Sequence, residues 1–237
     1  MKNWFNTTYY HTLYKNRDQS EAEFFLENLF KKLDPSPSDT FLDIACGKGR
    51  HSSFINSLGY QTHGIDLSED SIQYAKSKET DSLTFSVHDM RISFKEEGFD
   101  YCLNLFTSFG YFDNLEEDQK AITAMAKNLK KGGKLIFDFM NVKKVISGLV
   151  KEETKVVDGI SFSIKRKFEN NFIIKDISFV DKEEAFHFQE KVHALTLADL
   201  SSLFSKAGLS IIDIWGNYSL DDFHVDKSNR LIILAQK

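Results

Sequence analysis

The sequence predicts an α/β protein with a doubly wound, mostly parallel sheet and an inserted antiparallel β meander. Short apolar runs alternate with helical segments between residues 40 and 139, as in a sheet covered by helices on both faces. From about Thr154 to Ala194 the alternation has a period of two, which is typical of antiparallel strands. Two further apolar runs end the sequence and predict an antiparallel edge.

The predicted elements of the main sheet follow in order. Strands are expected at 41–44, 61–65, 83–87, 99–106, 134–139, 209–215 and 230–236, and helices at 20–33, 50–58, 68–78, 116–129 and 196–206. Ser20 and Glu23 are expected to form a capping box at the start of the first helix. The stretch Lys130–Gly133, which is basic and then glycine-rich, is expected to end the helix before strand five.

The meander is expected to hold three or four strands. Its turn candidates are Asp158-Gly159, Asn170-Asn171 and Asp181-Lys182. We expect residues 151–194 to form a subdomain inserted into a main domain of residues 1–150 and 195–237. The alternating phenylalanines of the meander need a partner surface, which is either a substrate pocket or a second copy of the chain in a homodimer.

Composition narrows the classes of function. Hydrophobic residues make up 41% of the 237 residues, and no apolar run has membrane-spanning length, so we expect a soluble protein without membrane partners. The net charge of −5 argues against a nucleic-acid partner. Two cysteines cannot form a disulfide framework and are expected to be reduced in the cytoplasm. No histidine or cysteine spacing indicates a metal site.

The stretch from Thr40 to Arg50, TFLDIACGKGR, is the centre of the predicted site. A strand, a turn with Gly47 and Gly49, and a helix place backbone N–H groups at the positive end of the helix, which suits an electron-rich ligand. The next strand ends at Asp66, at the spacing where nucleoside-binding sheets hold the ribose hydroxyls.

Two cofactors compete for this arrangement. A dinucleotide fingerprint requires glycines at the positions of Ala45, Gly47 and Arg50, and only Gly47 is present. The pattern D-x-A-x-G-x-G that starts at Asp43 instead resembles motif I of the class I S-adenosylmethionine (SAM) methyltransferases. That family more often has Gly at position 45. The D-x-A-C-G form is similar to that of the glycine and amino-sugar N-methyltransferases.

The resemblance covers most of residues 9–140 and 195–237. It implies the strand order 3-2-1-4-5-7-6 with strand 7 antiparallel, SAM as cofactor and S-adenosylhomocysteine as product. It also implies that Asp66 holds the ribose and that Asp89 and Met90 hold the adenine. The positions implied to bind the cofactor are Tyr14, Arg17, Asp43, Ala45, Cys46, Gly47, Gly49, Asp66, Leu67, Asp89, Met90, Asn104, Leu105 and Phe106.

The N-terminal segment resembles the same enzymes. There a tyrosine approaches the sulfonium and an arginine pairs with the methionine carboxylate, roles that Tyr14 and Arg17 would have here. Methyltransferases acting on bases or glutamine side chains usually carry Asn-Pro-Pro-Tyr after strand four. This chain has Asn-Leu-Phe-Thr at 104–107, which favours a small-molecule acceptor, with an amine nitrogen as the expected target.

An amine acceptor must arrive uncharged or lose a proton, so a nearby base would help. The candidate catalytic residues are Tyr14, Tyr111, His187 and His193. Two other functions stay open. An RNA or protein methyltransferase would be supported by the basic run at 165–167. A non-catalytic SAM-binding subunit that regulates a partner would need only the cofactor residues.

Overall fold

The computed structural model describes residues 4–15 and 19–237. After a 3-10 helix at Trp4–Asn6, the helices are α1 (Thr8–Leu13), α2 (Gln19–Leu33), α3 (Arg50–Ser57), α4 (Glu69–Lys76), α5 (Leu115–Asn128), α6 (Val142–Ser147) and α7 (Leu197–Lys206). The strands are β1 (Thr40–Ile44), β2 (Gln61–Asp66), β3 (Leu83–Val87), β4 (Phe99–Asn104), β5 (Leu129–Met140), β6 (Glu152–Val157), β7 (Ile160–Glu169), β8 (Phe172–Asp181), β9 (Glu184–His193), β10 (Ser210–Trp215) and β11 (Arg230–Gln236). Within the described ranges, no helix is long and apolar enough to cross a membrane.

Seven strands form the main sheet in the order β10-β11-β5-β4-β1-β2-β3. Strands β1 to β5 are parallel, and β11 is antiparallel to both of its neighbours. Numbered within this sheet alone, the order is 3-2-1-4-5-7-6, which confirms the predicted topology. The strand order reverses between β1 and β4, so the carboxyl ends of these two strands border the crevice where such sheets bind ligands.

Apolar side chains cover both faces of the main sheet. One core packs α5 and α7 against it and contains Met125, Phe137 and Phe204, all fully buried. The other core packs α2 and α3 against the opposite face and contains Phe25 and Phe41. Because each such side chain contributes about 1.5–3 kcal/mol by its burial, the two cores fix the positions of the strand ends and of the loops that leave them.

Strands β6 to β9 form a separate antiparallel sheet, which confirms the predicted meander and gives it four strands. The turns at Asp158-Gly159 and Asn170-Asn171 lie as predicted, with left-handed φ at both residues, as type I′ hairpins require. The third turn has its left-handed residues at Lys182 and Glu183, one position later than predicted. Asp181 still belongs to β8 and pairs with Glu184 of β9. The two residues between them, Lys182 and Glu183, therefore form the turn.

One face of this second sheet packs against the N-terminal segment, which we define as residues 4–15. Phe162 and Ile177 are fully buried there, in a cluster with Trp4 and Leu13. Helix α1 in this segment was not predicted, since six residues are too few to show a helical period. The available signal was Thr7, whose hydroxyl accepts a hydrogen bond from the Tyr10 amide at 3.1 Å and caps the helix.

Two predicted helix boundaries were wrong. Helix α2 begins at Gln19, so Ser20 lies within its first turn and is not the residue that precedes the helix. Helix α5 ends at Asn128, because Leu129 is extended, fully buried and paired with Phe99. The glycines and lysines that follow therefore belong to β5. Helix α6 was also not predicted.

Candidate functional site

The turn after β1 holds the first group of site residues. Ala45, Gly47 and Gly49 have left-handed φ of 61°, 55° and 74°. Glycine adopts this conformation without steric cost, whereas at Ala45 it costs about 1–2 kcal/mol. A Cβ on Gly49 would lie 2.5 Å from the Phe85 ring, but a Cβ on Gly47 would meet nothing within 4 Å. The turn is therefore packed on its inner side and open at Gly47.

Asp43 is buried beneath this turn. Its Oδ2 accepts hydrogen bonds from the Ser52 amide at 3.1 Å and from the Ser52 hydroxyl at 2.6 Å. Burial raises the pKa of Asp43 to about 6, although both hydrogen bonds from Ser52 lower it. Asp43 thus ties β1 to the first turn of α3 and supports the glycine turn from below.

Asp66 ends β2 beside the same turn. Its two carboxylate oxygens accept hydrogen bonds from the Gly47 amide and the Ser68 amide, both at 2.8 Å. Burial raises the pKa of this carboxyl, although these backbone bonds lower it. Cys46 is buried in the turn, which raises the pKa of its thiol, whereas the Leu67 side chain is exposed. Two predicted cofactor residues, Gly47 and Asp66, are therefore in direct contact.

Asn104, the last residue of β4, is fully buried. Its Nδ2 donates to the Ile44 carbonyl at 3.0 Å and so joins the carboxyl ends of β4 and β1. Its Oδ1 has no hydrogen-bond partner among the described residues. Because a buried acceptor without a partner costs about 1–3 kcal/mol, an N–H donor from a ligand would be stabilised at this place.

The loop after β4 has an uncommon backbone conformation. Leu105 is buried, and the next two residues, Phe106 and Thr107, have left-handed φ of 57° and 59°, which residues other than glycine seldom adopt. Asp138 of β5 holds them in place. Its Oδ2 accepts from the Phe106 amide at 2.7 Å, and its backbone carbonyl accepts from the Thr107 amide at 3.0 Å.

Asp138 also belongs to a buried ion pair that was not predicted from the sequence. Arg230 donates from Nε to Asp138 Oδ1 at 2.7 Å and from a terminal nitrogen to the Thr107 hydroxyl at 2.9 Å. The Tyr218 hydroxyl donates to Asp138 Oδ2 at 3.2 Å. Tyr218 and Arg230 lie 80 and 92 positions from Asp138, so no local pattern in the sequence indicates the group.

Phe106 places its ring over the start of α3. The His51 ring stacks on it with the centroids 5.0 Å apart, and the Arg50 guanidinium lies 5.0 Å from the same centroid. A terminal nitrogen of Arg50 donates to His51 Nε2 at 3.2 Å. Burial, together with the charge of Arg50, lowers the pKa of His51 to about 3, so its ring is neutral near pH 7. Neither residue was predicted as a site residue, although both follow the glycine turn directly.

The predicted adenine residues, Asp89 and Met90, follow β3. Both carboxylate oxygens of Asp89 accept from Arg91 Nε at 3.0 Å, and Oδ2 also accepts from a terminal nitrogen of Arg91 at 2.5 Å. Arg91 in turn contacts Glu117 of α5 at 2.6 Å. The hydrogen bonds from Arg91 lower the pKa of Asp89, which is therefore charged and held in a fixed orientation. Met90 is partly buried against the core.

The N-terminal segment joins the two sheets beside the crevice. Its 3-10 helix contacts both α4, which follows Asp66, and β9 of the second sheet. Trp4 Nε1 and the Tyr14 hydroxyl both donate to Glu190 at 2.7 Å, and Lys175 Nζ lies 3.4 Å from Glu190. Glu190 was not predicted as a site residue. Tyr14 contacts the second sheet through it.

The other predicted residues lie in different surroundings. Tyr111 packs edge-on against Phe5 of the N-terminal segment, with the ring centroids 5.2 Å apart. His187 is exposed on the opposite face of the second sheet, with Nε2 3.5 Å from Asp176. The fold therefore does not bring His187 together with the carboxyl ends of the parallel strands. Arg17 lies outside the described residues.

His193 is buried where β9 meets the main sheet. Its Nδ1 lies 2.5 Å from Asp118 Oδ2, and its ring stacks on Phe172 at 4.0 Å. The His193 amide donates to the Gly110 carbonyl at 2.7 Å. Burial raises the pKa of Asp118, whose second oxygen has no partner among the described residues. His193 thus connects β9, α5 and the loop after β4.

The residues at these strand ends fit SAM in three respects. The open side of Gly47 lets a ligand approach the backbone closely. Asp66 has carboxylate lone pairs beside that opening for ribose hydroxyls. Asn104 Oδ1 provides a buried acceptor for an amino group. In the part of the chain that the structure describes, no group of three or more His, Cys, Asp or Glu residues is arranged to hold a metal ion.

Comparison with known sequences identifies the type of domain. A family model described as a methyltransferase domain matches residues 35–196. The chain is 26% identical over 210 residues to the dTDP-3-amino-3,4,6-trideoxy-alpha-D-glucopyranose N,N-dimethyltransferase of Streptomyces venezuelae, and the match covers 83% of this chain and 86% of that enzyme.

Solved structures share the fold. A SAM-dependent methyltransferase from Clostridium acetobutylicum superposes with a TM-score of 0.80 at 20% identity, covering 96% of this chain and 95% of that one. SAM-bound CalS10, an amino pentose methyltransferase from Micromonospora echinaspora, superposes with a TM-score of 0.70 at 17% identity, and 97% of each chain is covered.

Proposed function

Because the chain belongs to the SAM-dependent methyltransferases through its methyltransferase domain, we propose that it methylates a small molecule at an amine nitrogen. The main support for cofactor binding is the open turn at Gly47, whose amide donates to Asp66. At the neighbouring strand end lies Asn104 Oδ1, which has no partner among the described residues. These groups lie at the reversal of strand order, where a nucleoside-containing ligand is expected.

Each of these residues has a distinct part in binding. Asp66 would accept hydrogen bonds from the ribose hydroxyls, and Asp89, oriented by Arg91, would accept one from the adenine amine. Asn104 Oδ1 would accept one from the amino group at the methionine end. When bound, SAM supplies a methyl group on a positively charged sulfur, so the protein has mainly to position the acceptor and exclude water.

The acceptor side is proposed to lie under the second sheet, with residues 151–194 as an inserted subdomain that covers it. The N-terminal segment supports this proposal, because it contacts α4 beside the cofactor crevice and also packs on the second sheet. The carboxylate of Glu190, on β9 of the second sheet, accepts hydrogen bonds from Trp4 and Tyr14 of the N-terminal segment.

The amine target is supported by the activities of two similar proteins. The Streptomyces venezuelae enzyme is an N,N-dimethyltransferase of an amino sugar nucleotide, and CalS10 is an amino pentose methyltransferase. The basic run at 165–167 gives no comparable support for RNA, because Lys165, Arg166 and Lys167 each pair with a glutamate.

His193 is the proposed proton acceptor for the acceptor nitrogen. A hydrogen bond from Nδ1–H to the buried Asp118 carboxylate, 2.5 Å away, would leave Nε2 as the ring nitrogen that can accept a proton. The pair adjoins the loop after β4 through the Gly110 carbonyl. Tyr111, which follows in that loop, is the second candidate.

Calorimetry and turnover test this function in sequence. We expect SAM and S-adenosylhomocysteine to bind with micromolar dissociation constants and NAD not to bind. Binding of NAD without a response to SAM would overturn the cofactor assignment. Methyl-labelled SAM is then incubated with a panel of amino sugars and other amines, each paired with its hydroxyl analogue. Transfer only to the hydroxyl analogues would contradict the amine target, and SAM binding without any transfer would favour the regulatory subunit.

A further inference from the structure

We propose that Asp138 and Arg230 are positioning residues for methyl transfer. They fix the turn of residues 105–108, here called the β4 turn, in the shape that places the acceptor beside the cofactor. This inference rests on the proposed function. It gives the buried ion pair a part in the reaction, which the pair exerts through the backbone that it holds.

The place of the β4 turn is the first reason. The turn leaves β4 directly after Asn104, at one of the two strand ends that border the crevice. The Ser108 hydroxyl donates to the Leu105 carbonyl at 2.7 Å and closes the turn. Two residues later, the Gly110 carbonyl accepts from the His193 amide at 2.7 Å. The β4 turn therefore sets the path of the chain from the proposed cofactor residue Asn104 to the loop that contacts the proposed proton acceptor.

The conformation of the β4 turn is the second reason. Phe106 and Thr107 have left-handed φ of 57° and 59°. A side chain that branches at Cβ, as that of threonine does, makes this conformation especially unfavourable. Two such residues in succession keep it only where their surroundings impose it, and strained backbone of this kind is concentrated at sites that hold a ligand in a defined position.

Asp138 and Arg230 supply these surroundings. Asp138 Oδ2 accepts from the Phe106 amide at 2.7 Å, and the Asp138 carbonyl accepts from the Thr107 amide at 3.0 Å. Arg230 donates to the Thr107 hydroxyl at 2.9 Å. The Asp138 side chain has no exposed surface and that of Arg230 is 19% exposed, so water competes little for these bonds. Both left-handed residues are thus held by the same pair.

The main sheet holds the pair itself. Asp138 lies in β5 and Arg230 in the neighbouring β11, where they pair with Ile232 and Met140. Side chains on the strands of a packed sheet are placed more precisely than side chains on loops. A buried ion pair adds little stability compared with apolar side chains of the same volume, because both charges lose their water. What the two residues add here is the fixed direction of three hydrogen bonds to the β4 turn, and orientation is what methyl transfer requires of the protein.

The test replaces the pair by apolar side chains, in the double variant Asp138→Leu with Arg230→Met. This variant leaves no buried charge and should remain folded, but its side chains cannot bond to the Phe106 amide or the Thr107 hydroxyl. Methyl-labelled SAM is supplied at saturation with the compound of the panel that the parent methylates. We expect the rate of transfer to fall about tenfold or more, because the acceptor is no longer oriented. Thr107→Val removes only the bond from Arg230 and should lower the rate about threefold or more.

Rescue by glycine separates this role from a general loss of stability. Adding Thr107→Gly to the double variant should restore the rate about fivefold or more, because glycine adopts left-handed φ without support. Asp34→Gly is the matched control. Asp34 is exposed, has a left-handed φ of 45° and lies between α2 and β1. Its replacement relieves the same kind of strain away from the crevice and should leave the rate of the double variant low.

The other outcomes are distinct. Parent rates in both the folded double variant and Thr107→Val would overturn the inference, and so would equal restoration by Asp34→Gly and Thr107→Gly. A parent protein that transfers no methyl group to any compound of the panel would contradict the proposed function, and the inference with it. Thermal melting establishes that each variant is folded, and calorimetry with S-adenosylhomocysteine establishes the cofactor concentration that saturates it.

Discussion

Asp138 Oδ1 accepts a hydrogen bond from Arg230 Nε at 2.7 Å, and the Asp138 side chain has no exposed surface. Loss of one partner of such a pair leaves an uncompensated buried charge. We therefore predict that Arg230→Met lowers the free energy of unfolding by about 3–5 kcal/mol, measured by urea denaturation.

The matched double variant, Asp138→Asn with Arg230→Met, removes the charge and retains an oxygen that can accept from the Phe106 amide. It should be more stable than the single variant Arg230→Met. If the single and double variants unfold at the same urea concentration, Asp138 does not act as a buried charge.

The ribose assignment predicts the effect of Asp66→Ala. Hydrogen bonds to a charged acceptor contribute roughly 1.5–3 kcal/mol each, so the affinity for SAM should fall by about tenfold or more in calorimetry. Asp70→Ala is the control, because Asp70 is an exposed acid in the adjoining helix. A folded Asp66→Ala variant with the parent affinity would remove Asp66 from the cofactor site.

Asp43 and His51 make opposite contributions to the pH dependence of stability. Burial raises the pKa of Asp43 to about 6, above the roughly 3.9 of an unfolded chain, so its contribution to stability is present at low pH and is lost as the pH rises through that window. Burial lowers the pKa of His51 to about 3, below the roughly 6.5 of an unfolded chain, so its contribution is present at high pH and is lost as the pH falls. Between about pH 4 and 6 the two largely cancel.

Single substitutions separate these contributions. Relative to the parent, His51→Gln should lose stability as the pH rises from about 4 to 6, and Asp43→Asn should gain it, each by up to about 1.4 kcal/mol per pH unit. Urea denaturation at several pH values measures the differences. A His51→Gln curve parallel to that of the parent would mean that His51 titrates normally in the folded state.

Glu190 is predicted to fasten the N-terminal segment, since it accepts from both Trp4 and Tyr14. Glu190→Ala removes both bonds, so hydrogen exchange of the amides in α1 should accelerate about tenfold or more while the main sheet stays protected. Glu184→Ala changes an exposed glutamate on the same strand and should have no such effect. Unchanged exchange in Glu190→Ala would show that apolar packing alone holds the segment.

Residues close together in sequence were predictable, and those joined only by the fold were not. The glycine turn and Asp66 follow from local patterns, and the Gly47 amide does contact Asp66. The connection between Asp138 and Arg230 depends on the pairing of β5 with β11, which no short pattern encodes. Asp43 was predicted from a motif, but its bonds to Ser52 appear only once α3 has packed on β1.

The antiparallel direction of β11 has a practical consequence for attachment to beads, tags or sensor surfaces. Lys237 lies at the amino edge of the parallel strands, where its amide donates to the Gly133 carbonyl at 3.0 Å, opposite the edge that carries the crevice. Trp4, in contrast, lies in the segment that contacts α4 and β9. A linker fused after Lys237 would leave ligands free to enter, whereas one fused ahead of Trp4 would crowd the entrance and slow their association.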